Sequence, residues 1–280
     1  MKRVLVLGAG LVARPLVRYL LDKGHRVVLV TRTVGKAESM IAGHPNGEAH
    51  PLDMRDEAKL GEYVAGCDLA VSLVPYAYHP LVAKMCIQHR KHMVTTSYVS
   101  DAMKALDGQA REAGITVLNE IGVDPGIDHM SAMRIIDQVR KNGGRIVAFR
   151  SYCGGLPASD ANDNPFGYKF SWAPRGVLLA GRNDAQYLLD GRKVVVPNAR
   201  LFRDMHVLRV DDFGFYEAYP NRDSIGYIDV YGLQGIETMY RGTLRNMGWC
   251  DCLQTFNSLG MLSLDEQDVK GKTYAQLTST

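Results

Sequence analysis

Gly8-Ala9-Gly10-Leu11-Val12-Ala13 reads GxGxxA near the start of the chain, directly behind a short apolar run. That spacing suits a dinucleotide. Gly8 permits a tight turn, Gly10 lets the backbone approach a pyrophosphate, and Ala13 allows close packing of helix on strand, while the helix N-terminus offers its N–H groups to the anion. A second apolar run ends at Val30-Thr31-Arg32-Thr33, where a fold preferring NAD carries an acidic residue for the ribose 2′-hydroxyl. Arg32, with the Thr33 hydroxyl beside it, would offer a 2′-phosphate charge-assisted bonds instead, so the expected cofactor is NADP. A solvated surface arginine is the plainer reading of Arg32. Asp53 reads equally well as a contact to the adenine amino group or as the cap of a helix beginning near Asp56. Leu73, in Ser72-Leu73-Val74-Pro75, is placed to line the nicotinamide side with its backbone, or simply to end a strand before a proline-marked loop.

These residues meet only if the elements around them form a sheet. Strands are expected at Arg3 to Leu7, Arg26 to Val30, Glu48 to Leu52, Leu69 to Leu73, His92 to Thr95 and Ile115 to Leu118. Helical patterns lie between them at Val12 to Lys23, Val34 to Ala42, Asp56 to Val64, Pro80 to His89 and Ala102 to Ala113, closed by Gly24, Gly43, Gly66 or Gly114. Right-handed crossovers place such strands in a doubly wound parallel sheet, and Thr96-Ser97-Tyr98 and the stretch from Asn119 to His129 then follow strand ends on its ligand side.

After Asn119 the texture changes. A helix is expected from Ile127 to Lys141, then strands at Ile146 to Tyr152, Lys193 to Val196, Val207 to Val210 and Ile228 to Tyr231, with turns at Asn162 to Pro165, Asp190-Gly191 and Pro220-Asn221. The expected fold class is α/β: a Rossmann-type doubly wound parallel sheet over residues 1–124, followed by an α+β substrate domain with a mixed sheet over residues 125–280. One helix is expected in the tail from Leu253, and the polar run Asp265 to Thr280 reads as a truncated end with no closing strand or helix.

Charge excludes some partners. Lys+Arg 33 against Asp+Glu 30 leaves +3 with both signs scattered, so no basic field is expected to hold nucleic acid or an anionic membrane. The apolar runs are strand-sized, far short of the roughly 20 residues a membrane helix needs, and no signal-peptide pattern follows Met1. The 5 cysteines show neither CxxC nor Cys/His zinc spacing, so reduced thiols, no metal and a cytoplasmic location are expected.

At the strand ends the sequence resembles the saccharopine dehydrogenases that form L-glutamate, also called saccharopine reductases. The likeness is carried by GAGLVARP, then SLVPYAYHP at 72–80, VTTSYVS at 94–100 and GITVLNEIGVDPGIDH at 114–129. Further matches are SYCGGLPA at 151–158, DNPFGYKFSW at 163–172, RGVLLA at 175–180, AYPNRDS at 218–224 and RGTLR at 241–245. The resemblance implies an NADP-linked oxidoreductase of lysine metabolism acting at the secondary amine of saccharopine. It implies that Arg222, Arg241, Gly242 and Thr243 contact substrate, as do Ser97, Tyr98 and Asp124. Ser97 and Tyr98, with Asp124, Pro125 and Gly126, are implied cofactor contacts as well. Such family members continue past residue 280, through a helical insertion and a segment that completes the cofactor domain.

A substrate with several carboxylates needs local cations in a near-neutral protein, and arginine holds a carboxylate by two parallel N–H bonds. Asp124, Tyr98 and Cys153 are the candidates for proton transfer, because a carboxylate, phenol or thiol can exchange protons when its surroundings bring its pKa toward neutrality. Each has a plainer reading: Asp124 as a turn residue before Pro125-Gly126, Tyr98 as a core aromatic, Arg222 as a surface partner of Asp223, and Cys153 as a small buried thiol beside Gly154-Gly155. His129 reads as a structural histidine. The expected partners are a small amino-acid substrate and a second copy of the chain in a homodimer. Two other functions compete: a carboxynorspermidine-type reductase of polyamine synthesis, and a non-catalytic NADP(H)-sensing protein.

Overall fold

In the computed structural model, which describes residues 1–278, alternate residues of β1 (Arg3–Leu7) face opposite cores. Leu5 and Leu7 pack with Val28, Val30, Leu60 and Met93, whereas Val4 and Val6 pack with Val17, Leu21, Ala37 and Ile41. Each such buried side chain contributes roughly 1.5–3 kcal/mol, so an all-apolar strand demands a helical layer on both faces. Those layers are α1 (Ala13–Asp22), α2 (Val34–Ile41), α3 (Glu57–Ala65), α4 (His79–Gln88), α5 (Asp101–Lys104) and α6 (Asp107–Glu112). They connect β1 to β2 (Arg26–Thr31), β3 (Gly47–Pro51), β4 (Leu69–Ser72), β5 (His92–Thr95) and β6 (Val117–Leu118). All pairs are parallel in the order β3-β2-β1-β4-β5-β6, which reverses between β1 and β4. This is the doubly wound sheet expected, with its ligand edge at the strands' carboxyl ends.

Several expectations need correction here. The single helix over Ala102 to Ala113 is two, because the chain tightens after Lys104 so that both Met103 and Leu106 reach the core. The sixth strand is only Val117–Leu118, and Gly66 closes α3 at φ −81, without the left-handed turn seen at Gly24, Gly43 and Gly114. Helix α3 is capped by Asp56, whose Oδ1 accepts from the Lys59 N–H at 3.0 Å, and not by Asp53.

The chain divides into two units, Met1–Ser131 and Ala132–Thr280, the division falling inside α7 (Ile127–Lys141). In the second unit the elements are β7 (Ala148–Cys153), α8 (Pro174–Ala180), β8 (Ala185–Leu189), β9 (Arg192–Val196), β10 (His206–Val210), β11 (Gly214–Pro220), α9 (Tyr227–Val230), β12 (Thr238–Asn246), α10 (Trp249–Ser258) and α11 (Tyr274–Thr278). The sheet is mixed: β10-β11-β12-β8-β9 is antiparallel, and β7 lies parallel to β12. Asp190 and Gly191, at φ 48 and 75, make the tight turn of the β8–β9 hairpin. Ile228 to Tyr231, expected as a strand, instead lies on α9 and its cap. The Asp223 Oδ1 accepts the N–H groups of Ile225 and Gly226, which starts a turn, and Ile228 and Tyr231 then pack three residues apart on one core. The polar tail carries α11, a five-residue helix that had not been expected.

Candidate functional site

The loop between β1 and α1 has the geometry its glycines foretold. Gly8 sits at φ +106, and a Cβ there would meet the Leu73 carbonyl oxygen at 3.0 Å, so the loop lies flat against the end of β4. A Cβ on Gly10 would meet nothing within 4 Å, which leaves its backbone open to a ligand. Helix α1 begins with no side-chain cap and no acidic residue in its first turn, so its N–H groups and positive dipole end are available to an anion. Ala13 is fully buried, as its packing role requires, while Leu11 and Val12 are exposed beside the loop.

Arg32 follows the last residue of β2 and is exposed, and Thr33 is the residue before α2. Asp53 lies in the field of Arg32, but its carboxylate is held chiefly by Arg55, through Nη2 at 2.5 Å and Nε at 3.0 Å. The Arg55 side-chain bonds keep the Asp53 carboxyl far below the usual carboxylate range. Its reading as a helix cap is thereby excluded, since Asp56 caps α3.

Polar side chains gather at the carboxyl ends of β4 and β5. Ser72 and Thr95 are register partners and fully buried. His79, the first residue of α4, brings Nδ1 to 2.8 Å from Ser72 Oγ and Nε2 to 3.1 Å from Thr95 Oγ1 and 2.8 Å from Ser97 Oγ. Desolvation pushes His79 down to about 4, so the imidazole is neutral.

Tyr98 and Asp124 come together: the Tyr98 hydroxyl donates to Asp124 Oδ1 at 2.6 Å. Asp124 opens a turn whose Pro125 carbonyl accepts from Gly122 N–H at 2.8 Å, and a Cβ on Gly126 would lie 2.2 Å from Gly122 oxygen. Only glycine fits at Gly126. Glu120 ties the turn to the β5 loop, accepting from Val99 N–H at 3.0 Å and meeting His129 Nε2 at 2.9 Å.

In the second unit Arg241 and Thr243 of β12 pair in register with Ser151 and Cys153 of β7, so Cys153, Arg241 and Thr243 share one face of the sheet. Arg241 is only 2% exposed, with its guanidinium 4.4 Å from the centre of the Tyr227 ring. Gly242 points to the other face, where a Cβ would meet Tyr240 at 2.7 Å and Tyr152 at 2.9 Å. Gly154 makes room for the Leu244 backbone, 2.5 Å from where its Cβ would lie, whereas a Cβ at Gly155 would meet open space. Arg222 is exposed at φ 49, its carbonyl accepting from Gln186 N–H at 2.9 Å.

His79 and Glu120 received no role from sequence reasoning. The available signal was three hydroxyl residues, Ser72, Thr95 and Ser97, at the ends of apolar strands with one histidine in the following helix. Among the described residues no group of three or more His, Cys, Asp or Glu could hold a metal ion, and no helix is long and apolar enough to cross a membrane.

Comparison with known proteins accords with this geometry. Residues 4–118 match the family model described as the saccharopine dehydrogenase NADP binding domain, and residues 122–279 match the saccharopine dehydrogenase C-terminal domain. The chain is 46% identical over 266 residues to the saccharopine dehydrogenase (NADP(+), L-glutamate-forming) of Pyricularia oryzae, a match covering 95% of this chain and 59% of that protein. It is 42% identical over 267 residues to the mitochondrial alpha-aminoadipic semialdehyde synthase of Bos taurus, covering 94% of this chain and 29% of that one. Apo histidine-tagged saccharopine dehydrogenase (L-Glu forming) from Saccharomyces cerevisiae matches with a TM-score of 0.84 and 41% identity, over 96% of this chain and 60% of that structure. The chain therefore spans about 60% of the length of the curated saccharopine dehydrogenases it matches.

Proposed function

The chain belongs to the saccharopine dehydrogenase family, and on that premise we propose that it is an NADP-dependent oxidoreductase of lysine metabolism that interconverts saccharopine with L-glutamate and 2-aminoadipate 6-semialdehyde. The observation that carries the reading is the fit of the cofactor edge: an open Gly10 backbone and an uncapped α1, with Arg32 exposed past the end of β2. When bound, NADP supplies the exchange of a hydride at its nicotinamide ring. The residues of this chain do the rest. The loop Gly8 to Ala13 holds the pyrophosphate, Arg32 and Thr33 hold the 2′-phosphate, and Asp53 meets the adenine amino group. Leu73, Ser97, Pro125 and Gly126 line the nicotinamide side.

Oxidation of the secondary amine leaves an imine that water opens to glutamate and the semialdehyde, and the reverse direction condenses the two and reduces the imine. Both directions need protons moved at nitrogen and at oxygen. The Tyr98–Asp124 pair is built for that, since a phenol donating to a carboxylate across 2.6 Å can pass a proton either way. Cys153 is the second candidate. Arg222 and Arg241 take substrate carboxylates, with Gly242 and Thr243 contributing from the same strand as Arg241. A guanidinium desolvated against a tyrosine face, as Arg241 is, attracts a carboxylate more strongly than one in water. A cytoplasmic setting belongs to the same proposal, supported by cysteines spaced neither as CxxC nor as a zinc site. A homodimer belongs to the same proposal, and light scattering tests it.

Exchanging semialdehydes in an NADPH-oxidation assay with glutamate tests the substrate directly. Turnover is expected with 2-aminoadipate 6-semialdehyde. Turnover only with an amine-bearing semialdehyde would transfer the chain to polyamine synthesis, and NADPH binding without any turnover would make it a sensor.

A further inference from the structure

We propose that His79 is a positioning residue, whose imidazole holds the Ser97 hydroxyl in place at the carboxyl end of β5 for the bound nicotinamide cofactor. The inference rests on the reading above that this edge receives NADP. Ser72 and Thr95 put two hydroxyls inside an otherwise apolar sheet, where each would be costly if left unsatisfied. The His79 ring answers both, because it lies across the paired ends of β4 and β5 with Nδ1 on Ser72 and Nε2 on Thr95.

Those two bonds would satisfy the core. The third, from Nε2 to Ser97 Oγ at 2.8 Å, is not needed for burial, since Ser97 is only half-buried at the rim and water could serve it. Its effect is to fix a hydroxyl that would otherwise rotate. A hydroxyl fixed before the ligand arrives loses less freedom on binding. The ring suits this work because it is 3% exposed and neutral, so it carries one N–H and one lone pair, with Nε2 shared between Thr95 and the nearer Ser97, and no charge to compete for the cofactor's phosphates.

The test reads NADPH affinity by fluorescence titration, with melting temperature measured alongside. His79→Asn keeps an amide near Nδ1, for Ser72, and withdraws from Ser97; His79→Gln places its amide near Nε2, for Ser97, and withdraws from Ser72. Loss of one positioning hydrogen bond corresponds to about a 2- to 10-fold rise in Kd. That rise is expected for H79N and for Ser97→Ala, while H79Q stays within about twofold of wild type although both His79 variants melt lower. The H79N/S97A double variant should bind no more weakly than S97A alone, because His79 acts through Ser97. Wild-type affinity in H79N, additive losses in the double variant, or losses that follow melting temperature in H79Q as well would overturn the proposal. Should H79N fail to fold, the ring nitrogen resonances of His79 decide: Nε2 must shift between wild type and S97A, and an unchanged resonance overturns it. Wild-type protein that fails to bind NADPH would overturn the cofactor reading itself, a result separable from tight wild-type binding with indifferent variants.

Discussion

Arg32→Asp reverses the charge beyond the end of β2 and places a carboxylate where the proposed 2′-phosphate would sit. Each lost charge-assisted bond to that phosphate is worth about 1.5–3 kcal/mol, so NADP should weaken by more than roughly tenfold while NAD changes little. Titration of both cofactors checks this, and equal losses would contradict the assigned role. At His79 the consequence is a pH dependence of stability. Its folded pKa of about 4 lies below the ordinary 6.5, so above pH 6.5 both states are neutral and nothing is lost. As pH falls from 6.5 toward 4, the unfolded chain takes up a proton that the folded chain refuses, and about 3 kcal/mol of stability drains away. Urea unfolding at about pH 7 and about pH 4.5 should show a smaller acid loss in His79→Gln than in wild type, and equal losses would contradict it.

Glu217 shows how an element depends on one side chain. It is 2% exposed on β11, and its two oxygens accept the N–H groups of Gly248 and Cys250 at 2.7 Å each, capping α10 from inside the core. Glu217→Ala leaves the buried Cys250 N–H unsatisfied and gives the exposed Gly248 N–H to water, at a cost of about 1–3 kcal/mol, whereas Glu217→Gln retains an acceptor and costs less. Equal melting temperatures for the two variants would refute this. Gly126→Ala is the corresponding test of the turn after Asp124: a Cβ 2.2 Å from Gly122 oxygen forces the loop to move, and Tyr98 should lose its Asp124 partner together with stability. The same elements show what could be read from residues alone. In the first unit, apolar runs buried on both faces, as in β1 and β2, name their strands, and β1, β5 and the division-spanning α7 have the limits expected. Strand β12 escaped notice because Arg241 and Arg245 interrupt it, and only the structure shows both guanidiniums buried on aromatic rings. Strands β8 and β11 were missed likewise. Ile228 to Tyr231 was misread because a four-residue apolar run carries no period that separates helix from strand. Of the candidate site, the geometry of the glycine loop was legible from spacing, whereas the Tyr98–Asp124 bond and the His79 network join residues far apart in sequence.

Across the whole molecule the near-balance of charge, +3, means that the polyacid substrate and the dinucleotide proposed for it would each be met by local groups rather than by a general field. The first unit offers such groups at the α1 N-terminus and Arg32, the second at Arg222 and Arg241. Their joint use in one reaction is the central claim, and saccharopine-driven reduction of NADP by the purified chain tests it most directly. The account predicts that NADPH appears together with one glutamate per turnover and that NAD is a poor substitute. NADP bound at the chain with no NADPH formed from saccharopine would contradict it.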